Sequence, residues 1–564
     1  MTSLLEEPVD QSDRGRIEHE TASTLFVEAG AGSGKTHSLV SRICRLVLDE
    51  GVELDRIAAI TFTEKAAAEL RERLRARISG AEDCERRNVA LGQVDTAAIG
   101  TLHSFAARIV SEHPLSIGVP PRIRVVDEMG SRLAFERRWQ RIRSRLFPPA
   151  GESSDVAAAM KVIIAAGASL DQLRGLADRL DRHWDRLAVP DRPLPLRTPG
   201  LDPILQQVDS LLDCLDDCTD RSDKFAERLT LVRAWRDQLA ARSEDDAWLK
   251  SAGNCPTVGN GGAGKNWVGG AARVKELKQQ LKDLAAESER VCTEYRAAAL
   301  DIVVSRIVLS EARNRKHSGE LEFHDLLVYA RDIARHGEEQ AALHTRYQRI
   351  LLDEFQDTDP LQLELAEAIV EGASGRLFTV GDPKQSIYRF RRADIATYMA
   401  ARDAHEGRNE TAIVRLTTNF RSSRPVLDWV NAVFAHLMVA EHHTQAGYTP
   451  LDPAPGRPQW DSSWGPEPFA FCSPVELEDS GLSPANALRS AETQDVARVI
   501  ATALDQKWYK EVGGPDRMFE HVPLNLSEVC ILIPARLVPG TGQTAETCVT
   551  IWRGRRRSRR TTPV

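Results

Sequence analysis

No stretch of the 564-residue chain approaches the ~20 consecutive apolar residues that span a bilayer. The longest apolar-rich run, Val162 to Ala168, is far too short. A basic start followed by an apolar stretch is also missing. Met1 to Gln11 is acidic and polar, so the sequence carries no secretory signal and reads as cytoplasmic, with no membrane partner. The nine cysteines include no CxxC pair, and the nearest two, Cys214 and Cys218, stand one helical turn apart. In a long chain this reads as reduced, mostly buried thiol rather than a disulfide framework. There is no internal repeat and no surplus of positive charge: 74 Lys and Arg against 82 Asp and Glu give −8. Leu537 to the C-terminus holds six Arg and one Glu, which leaves −13 on the residues before it. A basic face for nucleic acid can exist on such a chain, but net charge lends it no support. Membrane, secreted disulfide-stapled and fibrous classes are excluded. With 42% apolar and 28% charged residues, the composition is that of a globular chain of three or four domains at roughly 150 residues each.

Four segments separate by composition. Residues 1–126 alternate helical stretches with short apolar runs at Thr24–Val27, Ile57–Ile60, Ala97–Thr101 and Ile123–Val126, the pattern of a buried parallel sheet. Residues 127–318 are helix-rich and charged and hold five of the ten Trp. From 319 to 404 the strand signature returns at Arg349–Asp353 and Arg376–Val380. The simplest topology is one α/β sheet domain, 1–126 and 319–404, interrupted by a helical insertion, 127–318. Residues 411–536 read as the beginning of a further, incomplete α/β unit, with strands near Ile413–Leu416 and Val529–Ile533 and a Pro/Gly/Trp-rich linker between them. The Pro/Gly/Thr-rich, Arg-rich end, 537–564, reads as disordered. It is either an out-of-frame end to a truncated chain or a basic nucleic-acid tail.

The strand Thr24–Glu28 runs into Ala29, Gly30, Ala31, Gly32, Ser33, Gly34, Lys35 and Thr36, and a helix follows with Leu39, Val40, Ile43 and Val47 on one face. This strand, glycine loop and helix form the context in which backbone N–H groups cradle phosphates. Lys35 is expected to neutralise the β- and γ-phosphates and the Thr36 hydroxyl to ligate Mg²⁺. The alternative is a tight turn before a buried helix. A second match to the glycine-lysine pattern, Gly259 to Asn266, has Asn266 in place of the hydroxyl and no preceding strand, and reads as a flexible surface loop. Asp353 and Glu354 end a buried strand, where ligands sit in open parallel sheets. Asp353 is the candidate Mg²⁺ ligand and Glu354 the candidate general base. After the next strand, Gln385 is placed to sense a γ-phosphate or position water. Tyr388 and Phe390 could stack on bases or belong to the core. Arg421, in Thr417–Ser422, is either an arginine finger reaching from a second domain or a surface Arg.

In order, these segments resemble the UvrD/Rep-like helicases of superfamily 1, and most closely their AddA/RecB-like branch. The motifs extend over about 420 residues. Ala29–Thr36 fits the family's AxxGxGKT form, Asp353–Asp357 its DExxD form, Gly381–Asp394 its GDxxQSIYxFRxA segment and Asn419–Ser422 its NFRS segment. The resemblance implies two RecA-like lobes that close on ATP and Mg²⁺, with Lys35, Glu354, Gln385 and Arg421 catalytic and Gln11 reading adenine. It implies contacts to single-stranded DNA from Thr61, Phe62 and Thr63, from Thr101, His103, Ser104 and Phe105, and from Tyr388, Phe390 and Arg391. Thr61–Leu70 could equally be a helix start packed on the sheet, and His103 a core histidine. The expected activity is an ATP-dependent DNA helicase or translocase, 3′ to 5′, in recombinational double-strand-break repair. Duplex DNA would be engaged by the insertion and a second helicase–nuclease subunit would be the partner. The alternative is an ATP- and DNA-binding subunit that cannot unwind because its second lobe is incomplete. The family's later second-lobe motifs and the branch's acidic nuclease cluster are not in the sequence, so no nuclease activity is expected of it. A P-loop kinase needs no ordered DNA motifs, and a transporter ATPase would carry an LSGGQ-like signature.

Overall fold

The computed structural model describes residues 7–146, 155–187, 196–197, 199–241, 249, 253–257, 259, 261–387, 395–406, 411–441, 445–469, 484–514 and 517–531. The chain divides into two compact units: Met1–Phe105 with Ala334–Val564, and Ala106–Ile333. The second contains the whole of the expected insertion and extends past it on both sides.

The first unit is built on a six-stranded sheet. Its strands are β1 (Thr24–Ala29), β2 (Ile57–Thr61), β3 (Ala98–Thr101), β6 (Arg349–Leu352), β7 (Leu377–Gly381) and β8 (Thr411–Leu416), in the spatial order β3-β2-β6-β7-β1-β8. All five pairings are parallel, for example Val27 beside Val380 and Ile60 beside Leu352. Every residue of β2 and β7 is buried, as strands covered on both faces require. Around the sheet run α1 (Gln11–His19), α2 (Lys35–Cys44), α3 (Glu64–Ser79), α4 (Glu85–Gln93) and α5 (Leu102–Glu112). Helix α2 buries Leu39, Val40 and Ile43, and α3 buries Ala67, Leu70, Leu74 and Ile78, into the core formed with Leu25, Val27, Leu351 and Val380. That i, i+3, i+4 spacing is the apolar stripe of a helix lying on a sheet.

Three strand expectations change. Ile413–Leu416 is a strand, but it does not open a further α/β unit: β8 pairs with β1 along its whole length, from Thr24 beside Thr411 to Ala29 beside Leu416. A short apolar run identifies a buried strand but not which sheet receives it. Of Ile123–Val126 only β4 (Arg124–Val125) is extended, and it pairs with β5 (Glu320–Leu321) in the second unit. Both residues of β4 are exposed, so this run lacks the two buried faces of the main sheet. Val529–Ile531 forms no strand, and 532–533 lie outside the described residues, as does the segment 537–564. The described end of the first unit holds instead an antiparallel hairpin, Tyr509–Gly514 with Arg517–Pro523.

The second unit is helical. Its axis is the 49-residue helix Gly270–Ser318, against which Asp155–Ala165, Leu170–Asp181 and Asp202–Asp213 pack. Trp139, Trp235 and Trp267 lie in its core. A buried charge network crosses it. Arg315 forks onto Asp325 at 2.7 and 3.0 Å and onto Asp181 at 2.9 and 2.9 Å. Arg138 bonds Asp181 at 3.3 Å and Glu322 at 2.9 Å, and lies 3.5 Å from Glu311. The second glycine-lysine match is a fastened turn rather than a flexible loop. Asp223 accepts from the Ala263 N–H at 2.7 Å and from the Asn266 amide at 3.1 Å. Asn266, the residue that spoils the motif, is the one that ties this turn down.

Candidate nucleotide site at the strand ends

The phosphate loop leaves β1 at Ala29. This residue is the last of the strand, paired with Leu416 and 1% exposed. It lies in the strand rather than the turn, so a small side chain serves and the glycine of the general pattern is not needed. The turn itself needs glycine at Gly32 (φ +69°) and Gly34 (φ +84°), both left-handed. A Cβ on Gly32 would lie 2.7 Å from Arg421 Cβ and 2.8 Å from Asn419 Nδ2. Helix α2 then begins at Lys35.

Lys35 Nζ donates to Glu354 Oε2 at 2.7 Å, which joins the phosphate loop to the end of β6 across 319 residues of sequence. Glu354 has φ 52°, a left-handed conformation rare outside glycine that costs about 1–2 kcal/mol. Its N–H donates to Asp353 Oδ1 at 2.9 Å, and the Asp353 N–H donates to Ile60 O at 2.8 Å. Crowding by protein and the neighbouring Glu354 charge push the Asp353 carboxyl up to about 6, against the opposing pull of Lys35. Burial also pushes on Glu354, but Lys35, the Gln356 amide and Arg421 together hold it below its usual range. Two adjacent carboxyls are thereby driven apart, one readily protonated and one firmly ionised.

Gln356 is a residue that sequence reasoning passed over. It is 2% exposed; its Nε2 donates to Glu354 Oε2 and its Oε1 accepts from the Asp382 N–H, each at 2.8 Å. It links the ends of β6 and β7 through one amide. Gln385 donates from Nε2 to Asp382 Oδ2 at 2.8 Å, so its nitrogen is turned to the end of β7. Tyr388, Phe390 and Arg391 lie outside the described residues.

Arg421 reaches the loop from β8 of the same sheet, not from a neighbouring unit. The segment after β8 lies along the phosphate loop: the Phe420 N–H donates to Gly32 O at 2.9 Å and Asn419 Nδ2 to Ala31 O at 2.6 Å. Asn419 Oδ1 in turn accepts from the N–H groups of Arg421 and Ser422 at 2.8 and 2.7 Å. Gln11 is exposed at the start of α1. Its neighbour Asp10, which the sequence offered only as an ordinary acid at a helix start, is buried and bonded to Thr417 and Thr418.

The residues expected to meet DNA follow the ends of β2 and β3. Thr63 caps α3, accepting from the Ala66 N–H at 3.1 Å, and Thr101 Oγ1 donates to Glu64 Oε1 at 2.8 Å. Phe62 and His103 are half-buried, and Thr63 and Ser104 are exposed. Two expectations fail on burial. Thr61 is 4% exposed with its hydroxyl turned to Thr63 O. Phe105 is 5% exposed and packs edge-on against Tyr347 at 5.0 Å. Thr61 completes a buried strand and Phe105 is the first apolar contact of α5, so neither offers a surface to a nucleic acid.

A glycine loop between the central strand and its helix, with acidic residues at the end of a parallel neighbour, defines a P-loop protein with a RecA-like sheet. The chain belongs to the UvrD/REP helicase family: the family model described as UvrD/REP helicase N-terminal domain matches residues 9–406. Among curated proteins it is similar to the ATP-dependent helicase/nuclease subunit (AddA) of Levilactobacillus brevis, with 29% identity over a 491-residue alignment covering 75% of this chain and 38% of that protein. The proteins of the same name from Streptococcus uberis and Staphylococcus aureus are 25% and 26% identical, each over 74% of this chain. The chain spans 38–39% of the length of these relatives. Among the described residues no single helix is long and apolar enough to cross a membrane.

Proposed function

We propose that the chain binds and hydrolyses ATP at the loop Ala29–Thr36 and couples the cycle to movement along DNA, as the motor part of a helicase acting in recombinational repair. The observation that carries this reading is the 2.7 Å pair between Lys35 and Glu354, with Asp353 at the same strand end and the Arg421 segment bonded to the loop. Lys35 leaves Glu354 for the β- and γ-phosphates, and Thr36 follows it at the start of α2. Glu354, ionised, takes the proton of the attacking water. Gln385 and Arg421 serve the γ-phosphate, and Gln11 the base. The Thr36 hydroxyl and the Asp353 carboxylate are hard oxygen donors that suit Mg²⁺, which keeps several waters and needs only one or two protein groups beside phosphate oxygens. Among the described residues no grouping of three or more His, Cys, Asp or Glu side chains is fit to hold a metal by itself. When bound, the ion would screen phosphate charge.

Single-stranded DNA is the proposed track, read by Phe62, Thr63, Thr101, His103 and Ser104, with 3′ to 5′ movement carried over from the family. The same ground supports two further partners, duplex DNA at the helical unit and a second helicase–nuclease subunit. Stepping follows if the DNA contacts differ in affinity between nucleotide states. The test is ATPase activity with and without single-stranded DNA, and displacement of strands carrying 3′ or 5′ tails. Stimulated turnover that Lys35→Ala abolishes is expected, and turnover retained in that variant refutes the site. DNA and ATP binding without displacement would instead leave a binding subunit.

A further inference from the structure

Four consecutive carbonyls of the phosphate loop are each occupied by a donor. Gly30 O accepts from the Ser33 N–H at 3.2 Å, Ala31 O from Asn419 Nδ2 at 2.6 Å, Gly32 O from the Phe420 N–H at 2.9 Å and Ser33 O from Arg14 Nη2 at 2.9 Å. The last three donors come from outside the loop, and they share one anchor. Arg14 forks onto Asp10 at 2.8 and 2.8 Å, and its guanidinium lies 5.0 Å from the Phe420 ring centre. Asp10 also accepts from the Thr417 N–H at 2.8 Å, the Thr418 N–H at 3.0 Å and the Thr418 hydroxyl at 2.8 Å. One carboxylate, 7% exposed, thus takes five donors. It fixes both the arginine that holds one end of the loop and the backbone leading to the residues that hold its middle.

A trans peptide points its C=O and the following N–H to opposite sides. Holding the carbonyls of Ala31 and Ser33 against this clasp therefore turns the N–H groups of Gly32 and Gly34 the other way. We propose that Asp10 and Arg14 are positioning residues for nucleotide binding: they lock the phosphate loop with its amides presented to the phosphates before any nucleotide arrives. The proposal rests on the reading of this loop as the ATP site. Preorganised donors bind an anion without the cost of ordering it, so loosening the clasp weakens affinity without touching any group that meets the ligand.

The test is calorimetric titration of the full chain with Mg·ADP, which engages the loop and needs no γ-phosphate. Asp10→Asn sets an NH₂ group against donors that now meet oxygen, and is expected to weaken ADP about tenfold or more. Arg14→Lys keeps the charge beside Asp10 but cannot fork onto it and reach Ser33 O together; a weakening of about threefold to tenfold is expected, with KM for ATP rising more than kcat falls. A merely structural role would lower the melting temperature and leave the ADP affinity of the folded protein alone. If Asp10→Asn does not fold, Arg14→Lys decides. ADP affinity within about twofold of wild type in the folded variants, while Lys35→Ala loses ADP, overturns the clasp. ADP affinity unaffected by Lys35→Ala overturns the reading of the site instead.

Discussion

Glu354→Gln tests the centre of the site in two opposite directions at once. The amide has the shape of the carboxylate and can keep its contact with Gln356, but it cannot hold a proton from water. Loss of a positioned general base costs about 10²–10⁴ in rate, so kcat should fall by that factor. Affinity should move the other way. Without nucleotide, Lys35 is held 2.7 Å from Glu354, and the two side chains are 12% and 33% exposed. Two unit charges 4 Å apart attract by about 4 kcal/mol at an effective dielectric of 20, and the return of water to partly exposed groups offsets most of that. A net 1–2 kcal/mol, roughly, must be surrendered when Lys35 turns to phosphate. Removing the competitor should tighten ATP by about 5- to 30-fold. Single-turnover hydrolysis gives the first quantity, and equilibrium titration with a non-hydrolysable ATP analogue gives the second. A kcat within about threefold of wild type would refute the base, and unchanged affinity would refute the competition.

In the helical unit, Arg315→Met should cost about 3–5 kcal/mol, because Asp181 and Asp325, 6% and 0% exposed at the side chain, lose their main cation. Differential scanning calorimetry should show that unit's transition lowered by about 6–20 °C, and a shift under about 2 °C would mean the network contributes little. Burial and the charge of Glu354 push Asp357 up to about 6 from the usual 3.8, so the folded form holds its proton more tightly than the unfolded chain. Its contribution therefore disfavours folding at pH 8 and fades as pH falls through 6 towards 4. Asp357→Asn should stabilise at pH 8 by up to about 3 kcal/mol and have little effect near pH 4; an equal effect at both, read by urea titration, would contradict the assignment. Thr63→Ala should cost about 1 kcal/mol through the lost cap of α3, with Thr63→Ser near wild type in thermal melts; a loss of DNA affinity in Thr63→Ser would show that the methyl group, not the cap, matters.

Most of the sheet could be read in the sequence because strands buried on both faces are continuous apolar runs, as in Ile57-Ala-Ala-Ile60 and Leu377-Phe-Thr-Val380. The phosphate loop and the acidic strand end were legible for a related reason: their chemistry dictates residue types at fixed spacing. Sheet membership was not. β8 could have begun a new unit as far as its own residues show, and only its pairing with β1 assigns it. Burial was equally hidden in the DNA motifs, where Phe105 looks like an exposed aromatic until Tyr347, distant in sequence, covers it. Asp10, Arg14 and Gln356 escaped notice because each acts by bonding backbone far along the chain or buried side chains. An acid, a base and an amide beside helix ends have no pattern that separates such work from ordinary solvation.

The placement of β8 has a practical consequence for anyone dividing this protein. The family match stops at residue 406, five residues before β8 begins. A fragment cut at that natural-looking border would expose the flank of β1 as an unpaired strand edge, the kind of surface that recruits other chains. It would also lose Asn419 and Phe420, which arrive about 400 residues after the loop they steady. During synthesis the ribosome must deliver residue 422 before the loop's partners are all present, so the earliest element of the site is among the last to be finished.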